Sequence, residues 1–298
     1  MRCLHPIHID IEAYGLNYSK VPVPCGHCEA CLHSRARDWQ IRLYEEMKTA
    51  KTAYFLTLTY NDDNVPTVPI WDESTGEYLG RRQTVKVRDL QLFWKKLRKR
   101  FPNANLRYFA VSEYGPQTLR PHYHAIVFNL PREYADKHKL ARIWGNGFTE
   151  ISKVTYGRIA YVTKYCFGGL YVPDGYAPNF MRCSKRPALG VSWLFNLWQQ
   201  LETEDLDTMY YFKDGYRLPV PKYYKRKVKE SLQEDEKRDR LIRYVEERLF
   251  EDRNAIEEDK IRLAKFEKTG IWEETPTEQK IRKFIRDFHE KYNKNRKL

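Results

Sequence analysis

No stretch of the chain approaches the roughly 20 consecutive apolar residues a membrane-spanning helix needs, and the N-terminus lacks the zones of a secretory signal. The expectation is a cytoplasmic protein with no membrane partner. In such a compartment the six cysteines read as thiols or metal ligands rather than disulfides. No internal repeat or low-complexity tract stands out, which argues against a solenoid array. No Gly-x-x-x-x-Gly-Lys-[Ser/Thr] phosphate loop occurs, so the chain has no P-loop motor of its own.

Acidic charge is in deficit: 53 Lys+Arg face 40 Asp+Glu, a formal net charge of +13 over 298 residues. The excess favours an anionic partner, and 14% aromatic content favours one with bases to stack on. With 42% hydrophobic residues the chain can bury a real core, as one main domain with an appendage or as two modest domains.

The stretch that organises the rest is Arg120-Pro-His-Tyr-His-Ala-Ile-Val-Phe128, a buried-strand pattern bounded by proline. Alternation puts His122 and His124 on one face and Tyr123 on the other. Glu113 closes another strand-like run, Leu106–Glu113, and a hairpin through Tyr114-Gly-Pro-Gln-Thr would return it beside the histidines. Two imidazoles and a carboxylate suit Mg²⁺ or Mn²⁺, with positions left for substrate. Taken alone, such histidines are ordinary half-buried strand residues; the rest of the chain decides between the two.

At the N-terminus, Cys3 and Pro24-Cys25-Gly-His-Cys28-Glu-Ala-Cys31 could wrap one soft cation. Cys3, Cys25, Cys28 and Cys31 make a tetrahedral structural Zn²⁺ set, a zinc-knuckle-like segment, with His5, His27 and His33 as possible substitutes for one ligand. An iron–sulfur cluster is the rival, but the usual fourth Cys-Pro is missing just downstream. Further on, periodicity predicts helices over 35–51, with Trp39, Leu43 and Met47 on one stripe, and over 87–101. In the second, Leu90, Phe93, Trp94 and Leu97 face inward, opposite a basic face of Lys95, Lys96, Arg98, Lys99 and Arg100. Tyr54–Tyr60 reads as a central strand, 61–82 as a loop or hairpin excursion, 131–144 as a helix and 147–154 as a strand. Residues 157–167 read as a helix ended by Gly168-Gly169, with Tyr161 and Tyr165 one turn apart and Lys164 beside both. Residues 171–222 read as a wrap over the core. From about 225 the chain is charge-dense and helical, with Ile281, Phe284, Ile285 and Phe288 periodic.

Tyrosine has a pKa near 10, so about one phenol in a thousand is ionised at pH 7. It becomes a useful nucleophile when its target is electrophilic and its developing charge is stabilised. A cation on His122, His124 and Glu113 could polarise a DNA phosphodiester for in-line attack, with Lys164 stabilising the charge. The products are a 5′-phosphotyrosine and a free 3′-hydroxyl, and the bond energy kept there allows resealing without ATP.

These residues resemble a known superfamily. Pro121-His-Tyr-His124 looks like the His-hydrophobic-His signature of HUH endonucleases, and Tyr161-Val-Thr-Lys164-Tyr165 like their Tyr-x-x-Lys motif in its two-tyrosine form. Phe55-Leu-Thr-Leu-Thr-Tyr60 is similar to their first motif. The nearer resemblance is to replication initiation proteins of microviruses of the gokushovirus type. It rests on Val23-Pro-Cys-Gly-His-Cys28, Asp38-Trp-Gln-Ile-Arg42, Glu113-Tyr-Gly115 and Pro221-Lys-Tyr-Tyr224, and spans roughly residues 1 to 225. Phe167-Gly168-Gly169 departs from the pattern, where basic residues are expected.

The resemblance implies an α+β fold, a central antiparallel sheet of about five strands with packed helices. The residues themselves add an N-terminal zinc-knuckle-like segment and, beyond the reach of the resemblance, a helical C-terminal tail. The expected divisions are 1–35, 36–224 and 225–298. It also implies rolling-circle replication in the host bacterial cytoplasm. One tyrosine would nick single-stranded DNA at the viral origin, a host polymerase would extend the 3′ end, and the second tyrosine would cleave the regenerated origin. Strand separation would fall to a host helicase. The alternatives are an HUH relaxase or transposase of a mobile element, and a non-catalytic zinc-containing nucleic-acid-binding protein.

Overall fold

The computed structural model describes residues 3–115, 117–164, 172, 175–201, 209–276, 279 and 283. It divides into two units, Arg35–Pro221 and a second made of Met1–Ser34 with Lys222–Leu298.

The larger unit is α+β, built on a five-stranded antiparallel sheet. The strands are β3 (Ala53–Tyr60), β6 (Arg107–Tyr114), β7 (Pro121–Phe128), β8 (Gly147–Lys153) and β9 (Met181–Cys183), in the order β8-β3-β7-β6-β9. The histidine strand β7 lies at the centre, between β3 and β6. Its alternation feeds two cores. Tyr123, Ala125 and Val127 join Leu56, Leu58 and Tyr60 under α2 (Val87–Arg100) and α3 (Lys137–Trp144). Ile126 and Phe128 join Phe109 and Val111 on the opposite face, against Leu43 of α1 (Glu29–Thr49) and Ile159 and Val162 of α4 (Tyr156–Lys164). His122 and His124 therefore belong to the α1/α4 face.

Leu90, Phe93, Trp94 and Leu97 of α2 are buried as the periodicity predicts. Two residues of its basic face are engaged. Arg98 stands 5.3 Å from the Tyr108 ring, which stacks on Trp94 at 4.0 Å, and Arg100 donates to the Tyr134 hydroxyl. The excursion at 61–82 is a hairpin of β4 (Thr67–Trp71) and β5 (Tyr78–Gln83).

Three expectations need correction. α1 starts at Glu29, not Arg35, so Cys31 sits in its first turn. The 131–144 helix is a short 3₁₀ turn (Arg132–Tyr134) followed by α3. The break comes at Asp136, whose side chain caps α3 by accepting from the Lys139 N–H. The segment 171–222 is not a mere wrap: it supplies the edge strand β9, helix α5 (Trp193–Leu201) and a hairpin of β10 (Tyr210–Lys213) and β11 (Tyr216–Pro219). Its loop at 188–190 is tied down by a buried ion pair. Arg107 meets Glu46 at 3.1 Å and also donates to the Ala188 carbonyl, while Glu46 accepts from the Gly190 N–H.

In the smaller unit, β1 (Ile7–Ala13) and β2 (Leu16–Val23) form a hairpin that packs on α7 (Glu234–Thr269). Its turn, Tyr14-Gly15, takes positive φ at both positions. α6 is Lys222–Ser231. The tail is helical as expected; α7 begins with a Gln233/Glu236 capping box and stops at Gly270 in the left-handed region. Ile281, Phe284, Ile285 and Phe288 lie outside the described residues, as do Tyr165 and Gly168-Gly169. None of the described helices is long and apolar enough to cross a membrane.

Candidate active site

Strand register assembles the site. Glu113 pairs with His122 across β6–β7, and Thr59 and Thr57 pair with His122 and His124 across β3–β7. The tight loop from Gly115 to Arg120 closes with a Gly115 N–H to Arg120 carbonyl bond of 3.0 Å, which returns β7 beside Glu113. His124 Nε2 lies 2.9 Å and His122 Nε2 3.4 Å from Glu113 Oε2.

Both rings are turned by outer partners. His122 Nδ1 is 3.1 Å from the Arg120 carbonyl oxygen, an acceptor only, so Nδ1 donates and Nε2 points inward. His124 Nδ1 is 3.1 Å from Thr57 Oγ1. Phe55 stacks on the His124 ring at 5.5 Å. Arg120 is itself held, donating to the Tyr60 carbonyl and pairing with Asp62.

The electrostatics suit a cation. Burial opposes ionisation of Glu113, but hydrogen bonds and charge from His122 and His124 outweigh it and hold the carboxyl below its ordinary range. Burial pushes His124 down, against the pull of Glu113, and so favours its neutral, ligating form. Adjacent ligands of an octahedral ion with bonds of 2.0–2.1 Å are separated by about 3 Å. The three inward atoms lie within 4.8 Å of one another and approach that spacing. They fit a divalent ion.

Helix α4 brings Tyr161 to this point. Ile159, Val162 and Thr163 form its buried side, with Thr163 accepting from Gln40 of α1 at 3.1 Å. The Tyr161 hydroxyl donates to Glu113 Oε2 at 2.9 Å and lies 3.3 Å from His124 Nε2. Lys164 Nζ stands 4.0 Å from the Tyr161 ring centroid. Burial lowers the Lys164 ammonium from its ordinary value, while Glu113 works the other way. Of the residues expected here, Glu113, His122, His124, Tyr161 and Lys164 are together. Thr57 and the Arg120 carbonyl were missed, although Thr57 lies inside the strand motif already noticed.

The family model for replication-associated proteins of the ORF2 type matches residues 53–168, the span from β3 through α4. A replication-associated protein ORF2 of Spiroplasma virus 4 is 28% identical, covering 79% of this chain and 82% of its own. Replication-associated protein VP4 of Bdellovibrio phage phiMH2K is 26% identical, covering 75% and 76%. Replication-associated protein ORF4 of Chlamydia phage 1 is 24% identical over 76% of this chain and 58% of its own. The chain is similar to replication-associated proteins of phages over about three quarters of its length. The N-terminal nuclease domain of minute virus of mice non-structural protein-1 covers 54% of this chain at 9% identity. Its TM-score of 0.22 is too low to carry an inference.

The stretch that matches the replication-associated family holds Glu113, His122, His124, Tyr161 and Lys164; the N-terminal cluster of Cys3, Cys25, Cys28 and Cys31 falls outside it. Cys3 Sγ lies 3.5 Å from Cys25 Sγ and 3.7 Å from Cys28 Sγ, and Cys25 Sγ lies 4.0 Å from Cys31 Sγ. Disulfides need about 2.05 Å, whereas four sulfurs around zinc at 2.3 Å are separated by about 3.8 Å. The cluster has zinc spacing. Cys25 also accepts the Cys28 N–H, and a backbone bond from His27, followed by that from Cys28, brings its thiol down to about 6 against the effect of burial. Burial raises the thiols of Cys3 and Cys31, the latter to about 12, so Cys25 is the member of the cluster that ionises most readily.

Proposed function

We propose that this chain initiates rolling-circle replication of a phage genome by nicking and rejoining single-stranded DNA at its origin. The observation that carries this is the phenol of Tyr161 among three converging ligand atoms, 2.9 Å from Glu113 Oε2 and 3.3 Å from His124 Nε2. Residues 36–224 act as the nuclease domain, 1–35 as a zinc-binding segment and 225–298 as a charged helical appendage.

His122, His124 and Glu113 would hold Mg²⁺ or Mn²⁺, which when bound polarises a non-bridging phosphate oxygen. Tyr161 Oη attacks phosphorus in line, the P–O3′ bond breaks, and the chain is left on the 5′ phosphate. The departing 3′ oxygen takes up a proton and the phenol loses one. Lys164 stabilises negative charge on the phenol oxygen, its position over the ring set by α4. The reverse attack by a 3′-hydroxyl reseals the strand. Tyr165, four residues on, supplies the second nucleophile, and alternation between the two releases a circular strand. Cys3, Cys25, Cys28 and Cys31 hold a structural zinc. A host helicase and a host polymerase complete the cycle in the bacterial cytoplasm.

The test is covalent capture. The full chain is incubated with circular single-stranded phage DNA and Mn²⁺, and the protein–DNA adduct is scored on a denaturing gel. The parent forms an adduct, and Tyr161→Phe with Tyr165→Phe abolishes it while DNA binding persists. No adduct from the parent would leave a DNA-binding protein without this chemistry.

A further inference from the structure

The β10–β11 hairpin has no part in the site described so far. Its two-residue turn, Asp214-Gly215, has φ of 49° and 78°. Two positive φ angles are the type I′ geometry that matches strand twist, so the hairpin is stiff. Alternation puts Tyr210 and Phe212 on one face, with Arg217 directly across from Phe212. Tyr211, on the other face, is buried and donates to Glu45. The outward rings are 44% and 61% exposed. The Arg217 guanidinium lies 5.9 Å from the Tyr210 ring centroid and 5.8 Å from that of Phe212. Two large rings side by side in water with a cation over them mark an interaction surface.

We propose that this face is a stacking platform for single-stranded DNA. Unpaired bases offer planes that stack on exposed aromatic rings, and a guanidinium among those rings meets both the base faces and the phosphates between them. Duplex bases are already stacked on one another and offer no such plane. A second observation links the platform to the reacting helix. On the hairpin's other face, Lys213 Nζ stands 3.8 Å from the ring centroid of Tyr156 and 4.9 Å from that of Tyr44. Tyr156 is the first residue of α4, the helix that presents Tyr161. Five helical residues span about 7.5 Å, so the hairpin that carries the platform is fastened to the start of the nucleophile's helix. Lys213 and Arg217 make the hairpin net basic despite Asp214, which complements a polyanion. The platform selects the single-stranded state and leaves the reading of sequence to other residues.

Binding of a fluorescein-labelled 20-nucleotide oligothymidylate to the full chain, with no added divalent metal, tests this without any cleavage step. Success or failure of the nicking assay is thus a separate result. Loss of one stacked base weakens single-strand binding by about 5- to 150-fold. We expect that loss from Phe212→Ala and from Tyr210→Ala, with Phe212→Trp restoring affinity. Arg217→Ala should flatten the log–log salt dependence by about 0.7, whereas Phe212→Ala should shift the line at constant slope. Binding to a 20-base-pair duplex should be unchanged by Phe212→Ala. Unchanged oligothymidylate affinity in the Tyr210→Ala/Phe212→Ala double variant would overturn the proposal. So would an equal loss on the duplex. A change in elution volume with oligothymidylate binding intact would also overturn it, by making the face a contact between copies of the chain.

Discussion

Thr57 has the most informative side chain outside the ligand set. A histidine that ligates through Nε2 carries its proton on Nδ1, and Thr57 Oγ1 is the acceptor 3.1 Å from that nitrogen in His124. Losing such an outer partner lowers metal affinity by about 10- to 100-fold. Thr57→Val should show that drop in Mn²⁺ affinity by calorimetry, and Thr57→Ser should keep the parent value. Equal affinity in all three proteins would mean the ring is oriented by Phe55 stacking alone. The histidines were legible because alternation and the nearby Glu113 are local. The role of Thr57 was not, because it depends on which residue of β3 faces His124, and that register joins positions 67 apart.

At the scale of elements, two joints were hidden from the sequence. Gly147 opens β8 at φ +146°, and an added Cβ would lie 2.4 Å from both Asn61 N and Thr59 O. Those atoms are backbone and cannot step aside, so Gly147→Ala should destabilise by about 2 kcal/mol or more. Urea unfolding at unchanged m-value would measure this, and a shift under about 0.5 kcal/mol would contradict it. The Arg107–Glu46 pair is the other joint. It is buried, and it fastens residues 188–190 to the sheet. Removing one partner of such a pair costs about 3–5 kcal/mol, so Glu46→Ala should unfold at much lower urea than the parent chain. The elements with strong periodicity, α2 and β7, were readable from one face each. β9 is short and its partner is set by tertiary register, while the β1–β2 and β10–β11 hairpins hang on the two-residue turns Tyr14-Gly15 and Asp214-Gly215, which the sequence reading did not single out.

For the molecule as a whole, the family resemblance of its motifs implied the antiparallel sheet of about five strands that the structure has. It did not announce that the N-terminal segment and the tail form one compact unit, since that joins opposite ends of the chain. The cysteine cluster sits in this unit. A structural zinc contributes folding free energy directly, so Cys25→Ser or Cys28→Ser should lower thermal stability more than His122→Ala or His124→Ala. Elemental analysis should find one zinc per freshly purified chain, and zinc-free protein of full stability would refute the structural role. His122 is only half-buried, so His122→Ala should fold and, if the proposed site is right, fail to cleave.

The central claim is that a phenol on α4 becomes joined to DNA. Trypsin cuts after Arg158 and Lys164 and so separates Tyr161, in the peptide 159–164, from Tyr165, in the peptide 165–182. Mass spectrometry of the digested adduct, formed with single-stranded phage DNA and Mn²⁺ and trimmed by nuclease, reads the attachment site directly. The account predicts nucleotide mass on the 159–164 peptide, dependent on metal and absent in His124→Ala. Nucleotide on neither tyrosine peptide, with the DNA cut nonetheless, would contradict it.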